Sequence, residues 1–446
     1  AGHYELRFNV SCGEECGESV LFSSNIVDSY GDIPGLTENE TQLAISFDNM
    51  CSALEDPYKV TGTSNKLLKA CQSLDGADST TILTALQQIT PTQAPAQGRS
   101  SLNISEKQFG NINSRMSALR SGSIGASVSG LRMSIQDVSL PISVYSEMFE
   151  NKSNGFSDNQ EATALYGRLG VFVNGNISIG DRDATNNEAG FDFSTEGITV
   201  GADYRLNKKV VTGVALGYVN HETEYGSARG EMDVRGYSLS LFGSYYRSSK
   251  TYWDVIASIG KNSFDSQRDI QFGLISEQVM GSTSGLEFSL GLGGGYDYNQ
   301  DGFTFGSYGR VNLVRADIDS YQENSSSGFE LAYGQQSVRS LTTVFGGQAS
   351  IAMSTRYGVL SPQLRFEWVH EFQDDSRYIT ASFVNDPSSS SFRIRTDAPD
   401  KNFWNAGAGI SATFSEGRSA FFYIDTIAGK DNITQNTYSA GFRMDY

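Results

Sequence analysis

From about residue 165 to the end of the chain, apolar and polar residues alternate in short runs. In the closing run Thr434, Asn436, Tyr438, Ala440, Phe442, Met444 and Tyr446 share one face, and Gln435, Thr437, Ser439, Gly441, Arg443 and Asp445 share the other. Successive side chains of a strand point to opposite sides, so this pattern predicts a strand with one largely apolar face. Around Leu360 the same rule puts Leu360, Pro362, Leu364, Phe366, Trp368 and Phe372 opposite Ser361, Gln363, Arg365, Glu367 and Glu371. Alternation alone suits a soluble sandwich as well as a membrane barrel. The run Leu286–Asp297 favours the barrel. Leu286, Phe288, Leu290 and Leu292 lie opposite Glu287, Ser289, Gly291, Gly293, Gly295 and Asp297. Glycines among charges fit a roomy wet lumen with lipid outside.

About twelve such strands are predicted, starting near Leu165, Phe193, Val210, Asp233, Thr251, Gly285, Phe303, Ser340, Tyr357, Asn402, Arg418 and Ile433. Their connections alternate between short turns, such as Asn207–Lys209 and Ser248–Lys250, and long polar segments around 181–190, 223–232, 267–284, 319–338 and 374–401. An even count with alternating turn lengths is the bacterial outer-membrane arrangement, and closure leaves no unpaired backbone in lipid. Tyr204, Tyr245, Tyr252, Trp253, Tyr298, Phe303, Tyr357 and Tyr446 adjoin the short turns and are expected to form an aromatic girdle. The fold class is therefore an all-β membrane barrel of about 12 antiparallel strands, preceded by a small, mainly helical unit.

Several motifs carry a family resemblance. Gly170-Val171-Phe172-Val173-Asn174-Gly175, Gly190-Phe191-Asp192-Phe193 and Gly201-Ala202-Asp203-Tyr204-Arg205 resemble the opening hairpin of the autotransporter β-domain. Pro362 to Phe372 resembles a later strand of that family. The resemblance covers about the last 280 residues. It implies a twelve-stranded outer-membrane translocator for its own passenger, inserted with help from the barrel assembly machinery. It also implies a C-terminal assembly signal at Phe442, Met444 and Tyr446, although Phe is the family's commoner last residue.

Upstream, the periodicity turns helical. Glu38–Leu54 carries Leu43, Ile45, Phe47, Met50 and Leu54 roughly on one face; Asn65–Leu74 is a second helix, and Asp78-Ser79 can cap a third that ends at Pro91. All four cysteines precede the barrel, at Cys12, Cys16, Cys51 and Cys71. An exported chain crosses an oxidising compartment, so disulfides are expected. Four cysteines allow three connectivities, of which Cys12–Cys16 with Cys51–Cys71 is the local choice. The spacing is not that of a zinc finger and only His3 lies nearby, so no metal or other cofactor is expected. In 100–122, Leu102, Phe109, Ile112, Met116 and Leu119 recur at helical spacing with Arg115 and Arg120 between them. By periodicity alone this is a surface helix packed on another element; the family resemblance implies instead a helix that enters or threads the lumen. The Ser/Gly-rich stretch that follows it, or the later Asn151–Asn159, is the linker that runs through the pore, and the sequence does not separate the two. Some autotransporters cut themselves at adjacent asparagines in that helix. Here Ile112 separates Asn111 from Asn113, a departure that argues against self-cleavage. The chain divides into residues 1–35, a strand and loop remnant of a passenger; 36–99, the helical disulfide-bonded unit; 100–164, linker helix and flexible linker; and 165–446, the barrel.

Composition narrows the function. The net charge of −18 argues against nucleic acid, which needs basic patches. The acidity is read first as solubility of loops and lumen; a saline habitat, or divalent cations bound between acidic loops and lipopolysaccharide, are the additional readings. Outer-membrane lipid and lipopolysaccharide are the surroundings expected of a membrane barrel. Ala1 opens neither a basic start nor an apolar stretch, so a mature or truncated form is expected. No enzyme is read. Of the three histidines, His221 is taken as an ordinary loop residue and His370 as packing at the barrel surface. The family's lipase branch carries a large catalytic passenger, and residues 1–160 hold nothing comparable. Arg168, Asp203, Arg205, Asp254, Glu287, Arg310, Arg365, Glu367 and Arg443 fall on the lumen face and are expected to pair, holding wall and linker in place, with selectivity for solutes as the alternative. The function expected is translocation and surface anchoring of an N-terminal passenger. The alternatives are a free-standing surface adhesin or partner-docking protein whose short N-terminal unit is the functional part, and a plugged porin-like channel.

Overall fold

The computed structural model describes residues 29–60, 62, 64–120, 132–135, 138–141, 169–226, 229–248, 250–300, 302–414 and 419–443. Twelve long strands run antiparallel in sequence order: β1 Leu169–Arg182, β2 Phe191–Asn207, β3 Val210–Tyr225, β4 Gly230–Tyr246, β5 Thr251–Phe272, β6 Ile275–Gln300, β7 Phe303–Ile318, β8 Gln336–Ile351, β9 Gly358–Glu371, β10 Asn402–Phe414, β11 Ser419–Ala428 and β12 Ile433–Arg443. β12 pairs back onto β1 from Ile433↔Arg182 to Phe442↔Val173, which closes the sheet into a barrel. A separate hairpin, Arg132–Ile135 with Val138–Pro141, stands outside this sheet.

The strand faces follow the alternation. Val171, Val173, Ile177, Ile198, Leu216, Leu241, Ile259, Leu286, Phe288, Leu292, Leu364, Phe366 and Ile424 are exposed large apolar residues around the barrel. A continuous apolar band of this kind on a closed sheet is the surface a bilayer covers. Their neighbours Asn174, Thr199, Ser240, Ser258, Glu287 and Glu367 are buried. Among the described residues no helix is long and apolar enough to cross a membrane; the strands do that. Tyr245, Trp253, Tyr296, Tyr298, Phe303 and Tyr357 are exposed at the short-turn end. Tyr252 departs from the expected girdle. It is 4% exposed and points inward, because its neighbour Trp253 takes the outer side.

The expected polar loop 267–284 is instead the tip of a hairpin. β5 runs 22 residues and β6 26, paired without interruption to Phe272↔Ile275. Short strands in two other long connections, Tyr321–Asn324, Leu331–Tyr333, Tyr378–Phe383 and Phe392–Arg395, extend the wall on the same side.

Three helices close this long-loop end: α1 Glu38–Leu54, α2 Ser64–Leu74 and α3 Ser79–Ile89. Thr37 and Glu40 form a reciprocal capping box at the start of α1, and Asp78 accepts from Thr80 and Thr81 amides to cap α3. Hydrogen bonds from Thr81 hold the Asp78 carboxyl below its usual range. The Cys51–Cys71 disulfide joins α1 to α2. Cys12 and Cys16 lie outside the described residues. Leu43, Phe47, Met50, Leu67, Leu74, Ile82, Leu86 and Ile89 form one core with Ile270, Phe272, Val279, Phe329, Leu331, Ile379, Phe383, Phe392 and Ile394. The helical unit thus buries its apolar faces against the barrel's own loops. Tyr30 and Ile33 join that core, and Ser29 Oγ donates to Asp48 Oδ2 at 2.5 Å, so the expected boundary at residue 35 falls inside the unit.

Candidate functional site: the filled lumen

α4, Pro95–Arg120, lies inside the barrel. It begins five residues before the expected boundary at residue 100. Pro95 is the reason: proline at the first helical position costs nothing, because that N–H has no intrahelical partner. At the long-loop end Arg99 Nε donates to Glu188 Oε2 at 2.8 Å. At the short-turn end Arg115 Nε donates to Asp203 Oδ2 at 2.6 Å, and its guanidinium stands 5.1 Å from the centre of the Phe172 ring. The helix therefore traverses the lumen, entering beside the helical cap and ending near the start of β1.

Its register is fixed by side chains along its length. Asn111 Nδ2 donates to Thr199 Oγ1 at 2.8 Å, Asn176 Nδ2 donates to Asn111 Oδ1 at 2.9 Å, and Lys107 Nζ donates to Thr437 Oγ1 at 3.0 Å. On another face Phe109, Ile112 and Met116 pack with the inward-facing Phe172, Val211, Phe242 and Ile256. Some wall glycines serve this contact, while Gly293 and Gly295 face the wall side chains Arg310 and Tyr252. A Cβ at Gly291 would meet Phe109 at 3.0 Å, and one at Gly236 would meet Ile104 at 3.1 Å. One at Gly217 would overlap Gln108. Gly217, Gly236 and Gly291 are notches that admit α4 side chains.

The opposite wall holds a charge network. Arg310 Nη2 donates to Glu367 Oε1 at 2.7 Å, Tyr308 OH donates to the same oxygen at 2.6 Å, and Arg365 Nη2 donates to Asp425 Oδ1 at 2.6 Å. A cavity of about 540 Å³ separates this network from α4. Of the other predicted lumen charges, Glu287 accepts from Asn262 at 3.1 Å, Asp254 accepts from Ser244 at 2.6 Å, and Arg205 is half-buried at the end of β2. Arg443 and Phe442 lie within β12. Arg168, Met444 and Tyr446 lie outside the described residues. His221 is not a loop histidine: it is 1% exposed inside β3, with Nδ1 2.7 Å from Thr195 Oγ1. His370 stacks edge-on to Phe372 at 4.6 Å on the outer face.

At the long-loop end, charged contacts that the sequence did not signal tie α4 and the cap to the loops. Arg182 Nη2 donates to Asp397 Oδ2 at 2.6 Å, and Thr185 and Asn187 each donate to Asp397 at 2.7 Å. Burial pushes the Asp397 carboxyl up. The hydrogen bonds from Asn187 and Thr185 and the charges of Arg182 and Arg99 outweigh it, so the group titrates below the usual range. Arg268 donates to Glu323 at 2.7 Å and to the Ile89 carbonyl at 3.1 Å, which satisfies the C-terminal end of α3. Asn39 donates to the Asn187 and Arg395 carbonyls at 3.0 and 2.9 Å.

A closed twelve-stranded barrel with a helix threaded through it matches a known architecture. The family model for the autotransporter β-domain matches residues 157–425, more than half of the chain. The chain belongs to the autotransporter β-domain family. Its fold is shared with the translocator domain of the autotransporter NalP from Neisseria meningitidis, at a TM-score of 0.51 and 14% identity over 68% of this chain and 97% of that one. Among curated relatives, the chain is 24% identical over 281 residues to Esterase EstA of Pseudomonas aeruginosa, covering 62% of this chain and 42% of that protein. It is 23% identical over 281 residues to the probable autotransporter YcgV of Escherichia coli, covering 60% of this chain and 26% of that protein. The chain thus spans less than half the length of these relatives. As an autotransporter β-domain, the barrel sits in the bacterial outer membrane and is the translocator of a passenger.

Proposed function

We propose that this chain is the anchored end state of a translocator, in which α4 is the last segment to cross and the cap is the first folded unit outside. The observation that carries this reading is the direction of α4. It runs from Arg99 at the long-loop end to Arg115 at the short-turn end, so the described residues upstream of Pro95 belong on the long-loop side. That side is the cell exterior, and the short turns face the periplasm. The lipid-facing band and the terminal residues Phe442, Met444 and Tyr446 are the features that outer-membrane lipid, lipopolysaccharide and the assembly machinery would engage. The barrel and cap carry no chemistry of their own in this reading. An esterase-like activity, which the name of one relative suggests, would belong to sequence beyond the part shared with it.

The test is side-specific labelling of intact cells with a membrane-impermeant maleimide. Tyr58→Cys, at a cap position 96% exposed, should label. Lys209→Cys, in the β2–β3 turn, should label only after the outer membrane is breached. Labelling of Lys209→Cys alone on intact cells would overturn the orientation.

A further inference from the structure

Two adjacent short turns of the barrel are basic. The chain is strongly acidic, yet the β2–β3 turn carries Lys208 and Lys209, and the β4–β5 turn carries Arg247 and Lys250, with no acidic residue in Asn207–Val210 or Arg247–Thr251. The two turns are neighbours: the Tyr246 amide donates to the Lys209 carbonyl at 2.7 Å. Lys209, Arg247 and Lys250 are exposed. Directly beside them stands the outward aromatic group Tyr245, Trp253, Tyr296 and Tyr298, exposed by between 43% and 60%. Lys250 Nζ lies 5.9 and 5.5 Å from the ring centres of Tyr296 and Tyr298. A tyrosine and tryptophan belt marks the depth of the headgroups, so the four cations stand at phosphate level and not in open water.

We propose that this rim is a binding surface for anionic phospholipid headgroups of the periplasmic leaflet, with Lys209, Arg247 and Lys250 engaging the phosphates and the tyrosines holding the glycerol region. A basic cluster attracts anionic lipid electrostatically and over short range. The depth of the aromatic belt favours lipid over an acidic protein segment, which would dock beyond the headgroups. The leaflet assigned rests on the orientation under Proposed function.

The experiment reconstitutes the full chain in nanodiscs of mixed phosphatidylglycerol and phosphatidylcholine and measures retained lipid by native mass spectrometry. The chain should retain phosphatidylglycerol over phosphatidylcholine by about five-fold, the order expected for one well-placed cation. A K208Q/K209Q/R247Q/K250Q variant should lose that preference, as should the wild type in 0.5 M salt, a response that a merely structural role would not give. Heat-modifiable gel migration checks that the variant barrel is folded; K209Q/K250Q alone, expected to halve the preference, replaces it if it is not. Equal retention of both lipids, or an unchanged preference in the folded variant, overturns the proposal. So does normal lipid retention with slowed insertion of the variant in cells, which would mean a protein partner. Lipid preference with Lys209→Cys labelled from outside would instead overturn the orientation and the leaflet assigned.

Discussion

Arg115 is fully buried in the lumen, and its charge is tolerable there because Asp203 meets it. Removing one member of a buried pair leaves the other charge uncompensated, which typically costs about 3–5 kcal/mol. Arg115→Ala should therefore destabilise the protein by about that amount, measured by denaturant unfolding. The pair replacement Arg115→Met with Asp203→Asn should recover much of the loss, because no charge is then stranded. Asp397 sets a pH limit at the other end. Its folded-state pKa is depressed by its partners, so its contribution to loop docking is complete above the unfolded value of about 3.9 and is lost as pH falls through the lower folded value. Limited proteolysis of loop 372–401 should accelerate below about pH 4. Asp397→Asn should be cut faster at neutral pH and should show a weaker pH dependence.

At the scale of elements, the fit between α4 and the wall is steric. Gly217→Val would force Gln108 away, and overpacking of this kind costs about 1–3 kcal/mol. Single-channel recording should show α4 leaving more often in that variant, as a higher open probability than in the wild type. The disulfide acts on the cap alone. It closes a loop of 20 residues, worth about 3 kcal/mol by chain entropy. Cys51→Ser with Cys71→Ser should therefore speed hydrogen exchange in α1 and α2 and leave the exchange of β1 to β4 unchanged. Strand faces were legible because period two is a local signal: Leu364 and Glu367 declare their sides without reference to the rest of the chain. The β5–β6 extension was not legible, since above the bilayer both its faces meet water or the cap. Residues such as Gln267, Asp269 and Gln278 then read as loop. Nor could the meaning of the glycines be read. Gly217 faces Gln108 and Gly291 faces Phe109 across long stretches of sequence, and no periodicity links them.

For the whole molecule, barrel, lumenal helix and cap are one closed object. Lumenal charge was legible as a face, and pairing of wall with linker was expected, but the particular partners were not: the wall residue Asp203 meets Arg115 of α4. Excision of residues 95–120 should raise conductance in planar bilayers several-fold over that of the intact chain. An unchanged conductance would mean that the barrel wall, and not α4, limits flow. The length of the central hairpin has a further consequence. A tilted strand crosses a membrane in about 9–11 residues, and β6 has 26. More than half of that strand stands clear of the bilayer, as a rigid mast built from the barrel itself. Its tip, Gly273-Leu274, lies beyond the part packed against the cap, with Leu274 fully exposed to solvent. The protein is built for height as well as for passage.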